Sequence, residues 1–297
     1  ESIQEAVAFR QTVGRIRKEL VGRGEWFFTT WNADEVTDPT SGRRLPFEDA
    51  PETLLVTEPD CWVLHPGDAW HGFADLEDGY CMLDPIKVSV VTPGIAPDGA
   101  LEERGLPASL VTAYLDAHGI QVEKTTDFTI LFLFSIGITR GKWGTLVNAL
   151  LDFKRDFDAN LPLEQAIPAL VAGAPERYAR LGLRDLALEM FARLKESRQV
   201  EWLAEAFSTL PRAVLTPAQA YQELVRNRVE QVPLDALANR VVATGVVPYP
   251  PGIPMLMPGE SAGAANGPQL SYLRALQAWD RSFPGFGHDT HGVENEG

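Results

Sequence analysis

The chain has 297 residues, 45% of them hydrophobic and 23% charged, the make-up of an ordinary soluble globular protein. Its longest apolar run, residues 129–138, is far short of the roughly 20 residues a spanning helix needs, so no membrane is expected as a partner. Acidic residues outnumber basic ones 41 to 26, a net charge of −15; this is the wrong balance for a nucleic-acid binder, which carries a basic stripe.

The first twenty residues read as one amphipathic helix. Ala6, Phe9, Val13, Ile16 and Leu20 recur at spacings of three and four, and Ser2 followed by Glu5 has the form of a capping box. The opening is acidic and amphipathic rather than basic then apolar, so it is not read as a secretory leader. Glu1 rather than methionine begins the chain, which is therefore expected to be a piece of a longer one. An aromatic stretch, Trp26 to Trp31, runs into a polar loop over residues 34–49, and a strand is expected at 61–64. Cys61 and Cys81, two in all, make neither a disulfide framework nor a zinc site, which fits a reducing cytoplasm.

From residue 80 strands and helices interleave, the pattern of a compact layered domain of α+β or α/β type. Residues 87–92 are β-rich and close on Pro93-Gly94. Residues 107–117 carry helical spacing, with Pro107 suited to the first turn and Gly119 to the C-terminal cap. Strands are expected at 120–122 and 129–136, and a helix at 143–157 with Leu146, Leu150, Phe153 and Phe157 on one face. Residues 158–163 read as a linker, after which helices dominate. Thr216-Pro217-Ala218-Gln219 announces one of them, with threonine as cap, proline first and glutamine third. Beyond 240 the chain is rich in proline and glycine, and residues 248–254 can be neither helix nor central strand. The tail from His288 is polar.

Generic chemistry is sparse. There is no phosphate-cradling glycine loop, no Gly-x-Ser-x-Gly elbow and no paired CxxC. His288 and His291 lack a third ligand in sequence, so no metal is expected. His71, among Trp70, Gly72 and Phe73, is either a packed structural histidine or a catalytic one. Tyr249, within the proline run, is either a side chain held rigidly at a cleft or a buried crossover tyrosine, and its bond to Pro250 is a candidate for the cis form. Glu123 lies just past the strand expected at 120–122. Facing a cleft, it would suit a cationic group such as a guanidinium, which can donate two hydrogen bonds at once; otherwise it is a solvated charge or a local partner of Lys124.

Several long segments resemble the bacterial ornithine/lysine/arginine decarboxylases. They are Met82-Leu83-Asp84-Pro85-Ile86-Lys87-Val88 with Thr92-Pro93-Gly94, Gly105-Leu106-Pro107-Ala108, Val122-Glu123-Lys124-Thr125, and Leu131-Phe132-Leu133-Phe134-Ser135-Ile136-Gly137. Asp152-Phe153-Lys154-Arg155, the run Pro248-Tyr249-Pro250-Pro251-Gly252-Ile253-Pro254, Met257-Pro258-Gly259-Glu260, Pro284-Gly285-Phe286 and His291-Gly292 follow in the family's order. The resemblance implies an α+β fold: residues 1–20 as a helix leaving a large cofactor domain not included in the chain, 21–158 as a small domain of aspartate-aminotransferase type, and 159–297 as the family's C-terminal domain.

It also implies a carboxy-lyase that uses pyridoxal phosphate and acts on a basic amino acid. The segments at 139–146 and 78–82 look more like the arginine enzymes than the lysine ones, with ornithine third, and the implied setting is the acid-stress response in the cytoplasm. Glu123 would hold the substrate's distal cation. Tyr249 would belong to the active-site surroundings, with Asp84, Lys87 and Thr125 nearby. None of the six lysines, Lys18, Lys87, Lys124, Lys142, Lys154 and Lys195, follows a histidine as the family's Schiff-base lysine does, so the chain is expected to contain no catalytic residue and to be inactive alone. The implied partners are the large domain and further copies, as a homodimer and then a decamer. A lysine-type alarmone site is disfavoured, because Pro162 and Gly182 stand where later basic residues would be. A different class stays open: a truncated, non-catalytic homologue that serves as an assembly or regulatory module.

Overall fold

The computed structural model describes residues 1–294 as two compact units, Glu1–Phe191 and Ala192–Gly297. Both helix and sheet contribute, as the α+β reading requires.

The first unit opens with α1 (Ser2–Gly22), which buries Ala6, Phe9 and Val13 of the expected stripe, together with Val7, Arg10 and Gln11, while Ile16 and Leu20 are only half-buried. The capping box does not form. Glu1 is the N-cap, and the Glu5 carboxylate instead accepts a hydrogen bond from Trp143 Nε1 at 2.5 Å; a distant indole outcompetes the local backbone. Next comes β1 (Thr29–Thr30), and the polar stretch 34–49 holds a small hairpin, β2 (Glu35–Thr37) and β3 (Arg44–Pro46). After α2 (Glu52–Thr57) the strand expected at 61–64 is a 3-10 turn, Pro59–Trp62. Proline starts that turn, and Trp62 Nε1 reaches back to the Leu55 carbonyl at 2.8 Å, so the chain must curl; only one bridge, Val63 to Met82, is extended.

The central sheet has the order β1-β4-β6-β5, all antiparallel, with β4 (Lys87–Val91), β5 (Lys124–Thr125) and β6 (Thr129–Leu133). Val88 and Val90 on β4, with Ile130 and Phe132 on β6, alternate into the core while their neighbours do not. Between β4 and β5 lies α3 (Ala108–Ala117), and after β6 comes α4 (Arg140–Asp158). Phe153 of α4 meets Phe28 at 6.0 Å and Tyr114 of α3 at 5.1 Å between ring centroids, so aromatic rings join the layers. The strand expected at 120–122 is absent. Gly119 turns the chain out of α3, and the Ile120 amide bonds back to the Leu115 carbonyl at 2.9 Å. Pairing starts only at Lys124, so Glu123 precedes a strand rather than following one.

Three short helices follow, α5 (Leu163–Ala166), α6 (Pro168–Gly173) and α7 (Pro175–Tyr178), then α8 (Leu183–Ser197). The stretch 158–163 falls inside the first unit. Gly105 is required to be glycine by space: a Cβ there would overlap the Phe191 ring and crowd Gly94.

In the second unit α9 (Gln199–Ser208) packs on α11 (Pro268–Ser282). Ala206, Val242, Val246, Met255, Leu256, Leu270, Leu273 and Leu276 form its core. The buried Gln269 carboxamide donates to the carbonyls of Ala206 (3.2 Å) and Thr209 (2.9 Å), which supplies partners at the C-terminal end of α9. Before the proline-rich segment, α10 (Pro217–Val225) carries the full capping box between Thr216 and Gln219. The segment itself forms β7 (Val247–Tyr249), which pairs antiparallel with β8 (Asp289–His291) in a two-stranded ribbon, a setting that tolerates proline. Both Tyr249-Pro250 and Pro250-Pro251 are cis.

Candidate functional site

Sheet register gathers four of the five candidate residues in the first unit. Lys124 pairs with Leu131 and Lys87 with Leu133, so Glu123 stands level with Phe132, across which lies Val88, next to Lys87. The Glu123 amide donates to Leu131 O at 2.9 Å, which fixes the backbone. Its side chain is exposed, and among the described residues the carboxylate accepts no hydrogen bond and forms no ion pair. Thr125, two residues on, shares a hydroxyl hydrogen bond of 2.8 Å with Thr112 of α3 and so ties the edge strand to the helix behind it.

Asp84 and Lys87 lie at the start of β4, and their segment is shaped by a residue that periodicity alone hides. Arg10, 1% exposed, donates to the carbonyls of Pro85 (2.5 Å) and Lys87 (3.0 Å), with its guanidinium 5.0 Å from the centre of the Trp62 ring. Burial pushes the Arg10 guanidinium down, to about 9, and the charge of Asp84 pulls it back up, so it remains charged at neutral pH. Asp84 also accepts from the Ile86 amide at 3.2 Å, closing the turn into β4. The Asp84 segment is thus a folding device, and β6 lies between its strand and that of Glu123. The signal for Arg10 was in the sequence: it lies three residues from Val7 and three from Val13, on the apolar stripe itself.

Tyr249 belongs to the second unit. It is 49% exposed, neither buried nor freely projecting, because its ring folds over Gly252. That glycine has φ +78, and a Cβ there would overlap the phenol. On the other side the ring of His291 stands edge-on at 6.1 Å. His71 is 6% exposed; its Nδ1 accepts from the Phe73 amide at 3.0 Å, and its ring stacks on Phe73 at 5.2 Å. Nε2 is buried without a hydrogen-bond partner. These are the contacts of a packed histidine. His288 bonds to Asp280 at 2.8 Å. No cluster of three or more metal-ligating side chains occurs among the described residues, and no helix among them is long and apolar enough to cross a membrane.

Three of the six lysines are engaged with oxygen partners. Lys18 is paired with Glu48 (3.2 Å) and Asp49 (3.0 Å), and Lys142 donates to the Gly137 carbonyl at 2.9 Å. Lys154 is buried between Glu25 (2.9 Å) and Asp158, 5.4 Å from the centre of the Trp26 ring. An amine that must attack an aldehyde has to be free of such carboxylates. Lys18 and Lys154, paired in this way, do not fit the role of the lysine that holds pyridoxal phosphate.

The first unit presents the exposed Glu123 carboxylate just before β5, and the second presents Tyr249 with its ring over Gly252. The family model for the Orn/Lys/Arg decarboxylase major domain matches residues 1–142, and that for the Orn/Lys/Arg decarboxylase C-terminal domain matches 200–297. The chain belongs to the Orn/Lys/Arg decarboxylase family.

Among its relatives, biodegradative arginine decarboxylase of Escherichia coli K12 is 56% identical over 294 residues, 99% of this chain and 39% of that protein. Lysine decarboxylase LdcA of Pseudomonas aeruginosa is 40% identical over 296 residues, 100% of this chain and 37% of that protein. Of solved structures, lysine decarboxylase A from P. aeruginosa superposes with a TM-score of 0.88 at 40% identity, over 100% of this chain and 38% of that one. The constitutive lysine decarboxylase of E. coli gives 0.85 at 38% identity, over 99% and 38%. The chain thus spans about two-fifths of the length of the curated relatives it matches.

Proposed function

We propose that this chain is the substrate-recognising part of a pyridoxal-phosphate decarboxylase that converts arginine to agmatine and carbon dioxide. The observation that carries the choice of substrate is the 56% identity to an arginine decarboxylase across 99% of the chain, against 40% or less for the lysine enzymes. Lysine is the second reading. In this proposal Glu123 receives the distal guanidinium, for which an exposed and unpartnered carboxylate is the right chemistry: two parallel charge-assisted hydrogen bonds fix both position and charge. By the family resemblance Tyr249, whose ring lies over Gly252 and edge-on to His291, is a second substrate-binding residue. Asp84, Lys87 and Thr125 shape the sheet end that carries Glu123.

When bound, the cofactor would supply an electron sink for loss of the α-carboxylate, and in this reading the residues that would hold it belong to the remainder of the enzyme. The implied organisation, with 1–20 as a connecting helix, 21–158 as small domain and 159–297 as C-terminal domain, and with assembly into dimers and larger oligomers in the cytoplasm, goes with this reading. So does a role in acid stress, for which the −15 charge is favourable because protonation relieves self-repulsion.

The test is Glu123→Gln in the complete enzyme. A lost charge-assisted bond costs about 1.5–3 kcal/mol, which lowers kcat/KM for arginine by roughly ten- to more than a hundredfold. An unchanged arginine profile removes Glu123 from the site. Activity of the complete enzyme on lysine but not arginine would overturn the substrate assignment.

A further inference from the structure

Residues 45–86 hold ten carboxylates and not one lysine or arginine; the side chains there that can become cationic are His65 and His71. His65 sits where two of those carboxylates converge. Its Nδ1 lies 2.7 Å from Asp78 and its Nε2 3.6 Å from Asp60. Asp60 belongs to the 3-10 turn Pro59–Trp62, and Asp78 to the far end of the loop that leaves His65 and returns at Cys81.

That loop is folded mostly upon itself. Gly67 N bonds to Phe73 O at 2.9 Å, Gly72 N to Asp68 O at 2.9 Å, and Trp70 Nε1 to Asp68 at 3.3 Å. Its ties to the rest of the unit are largely apolar, with Trp70 and Leu76 packed against the core cluster that holds Trp62 and Leu64. The Leu64 amide donates to Cys81 O at 3.1 Å, Trp70 packs edge-on against Trp31 at 5.1 Å, and His65 bridges its two ends.

A neutral imidazole can donate from only one nitrogen, so it can serve one of the two aspartates while turning a lone pair towards the other. An imidazolium donates from both. We propose that His65 is a proton-operated latch that fastens the loop 66–80 to the turn 59–62 when the protein is acidified.

The surrounding charges all favour this direction. Asp78, by its hydrogen bond, holds the imidazolium above its ordinary range; partial burial opposes it, and Asp60 and Asp68 add to the upward pull. Asp75, Glu77 and Glu58 are the other acidic groups of the loop and turn. Arg10, against Trp62 of the same turn, is committed to the carbonyls of Pro85 and Lys87, and His71 is held through Nδ1 by Phe73. Because the folded value is raised, the latch is fully closed below the unfolded histidine range near about 6.5. It releases as pH climbs through the folded value.

Hydrogen exchange tests this on the full-length polypeptide carrying the sequence, read peptide by peptide at about pH 5.5 and about pH 8 and corrected for the intrinsic pH dependence of exchange. Protection of 66–80 should be about threefold greater at the lower pH, the size an exposed pair supports, with α4 as the unmoved internal reference. His65→Gln should flatten that difference. Asp78→Asn, which keeps the histidine, should shift its midpoint to lower pH. Equal protection of 66–80 at both pH values, or a pH difference that survives His65→Gln, overturns the latch.

Discussion

The two units solve the same problem, how to hold irregular chain in place, by different means. In the first, buried side chains reach far along the sequence to grip main chain: Arg10 takes carbonyls 75 and 77 residues away, and Gln11 Nε2 takes those of Phe47 (3.1 Å) and Ala50 (2.7 Å). In the second, Gln269 makes one comparable grip, on the carbonyls of Ala206 and Thr209, and the other irregular segments are stitched mainly by backbone bridges, Ala213 to Glu260, Val241 to Ser261 and Val246 to Leu256, around one helix pair. Long side-chain grips concentrate stability in a few residues, whereas scattered bridges spread it. Substitutions should therefore be costly and global in the first unit, smaller and local in the second.

The sharpest way to break this contrast is Arg10→Ala. It leaves two carbonyls without their donor and a void beside Trp62, and should cost about 3–4 kcal/mol in urea unfolding; a loss below ~1 kcal/mol would mean that the grip is ornamental. Gly105→Ala comes next. Its new methyl has to displace the Phe191 ring or the Gly94 backbone, for about 1–3 kcal/mol, read as a lowered unfolding midpoint. Smallest is Thr216→Ala, which removes the capping box of α10 for about 1 kcal/mol. It should raise exchange in α10 alone, since Ala220 is the one residue of that helix buried beneath it. A loss of protection across α9 and α11 as well would show that the second unit is as centralised as the first.

The same contrast explains what could be read from the residues alone. Local signals were dependable: the α1 stripe, the Thr216 box and the exclusion of helix from 248–254 all needed only neighbours in sequence. The misses were set by one distant partner and by two reach-backs that the local pattern does not announce. Ser2 failed as a cap because Glu5 serves Trp143, residues 61–64 curled because Trp62 reaches Leu55, and 120–122 stayed out of the sheet because Ile120 is tied to the end of α3. For the candidate site, spacing alone left Glu123 as an ordinary surface charge. Only resemblance singled it out, and register then set it level with Phe132 of β6, one strand away from the start of β4. Arg10 was passed over because an arginine on a stripe is usually read as solvent-facing, though its chain can lie along apolar surface while its head finds oxygen.

Arg10 has one more consequence. A guanidinium that holds main-chain oxygens cannot tell which side chains those residues carry. The turn into β4 is therefore anchored indifferently to the identities at positions 85 and 87, and that edge of the sheet can be rewritten by mutation or design without dismantling the anchor beneath it.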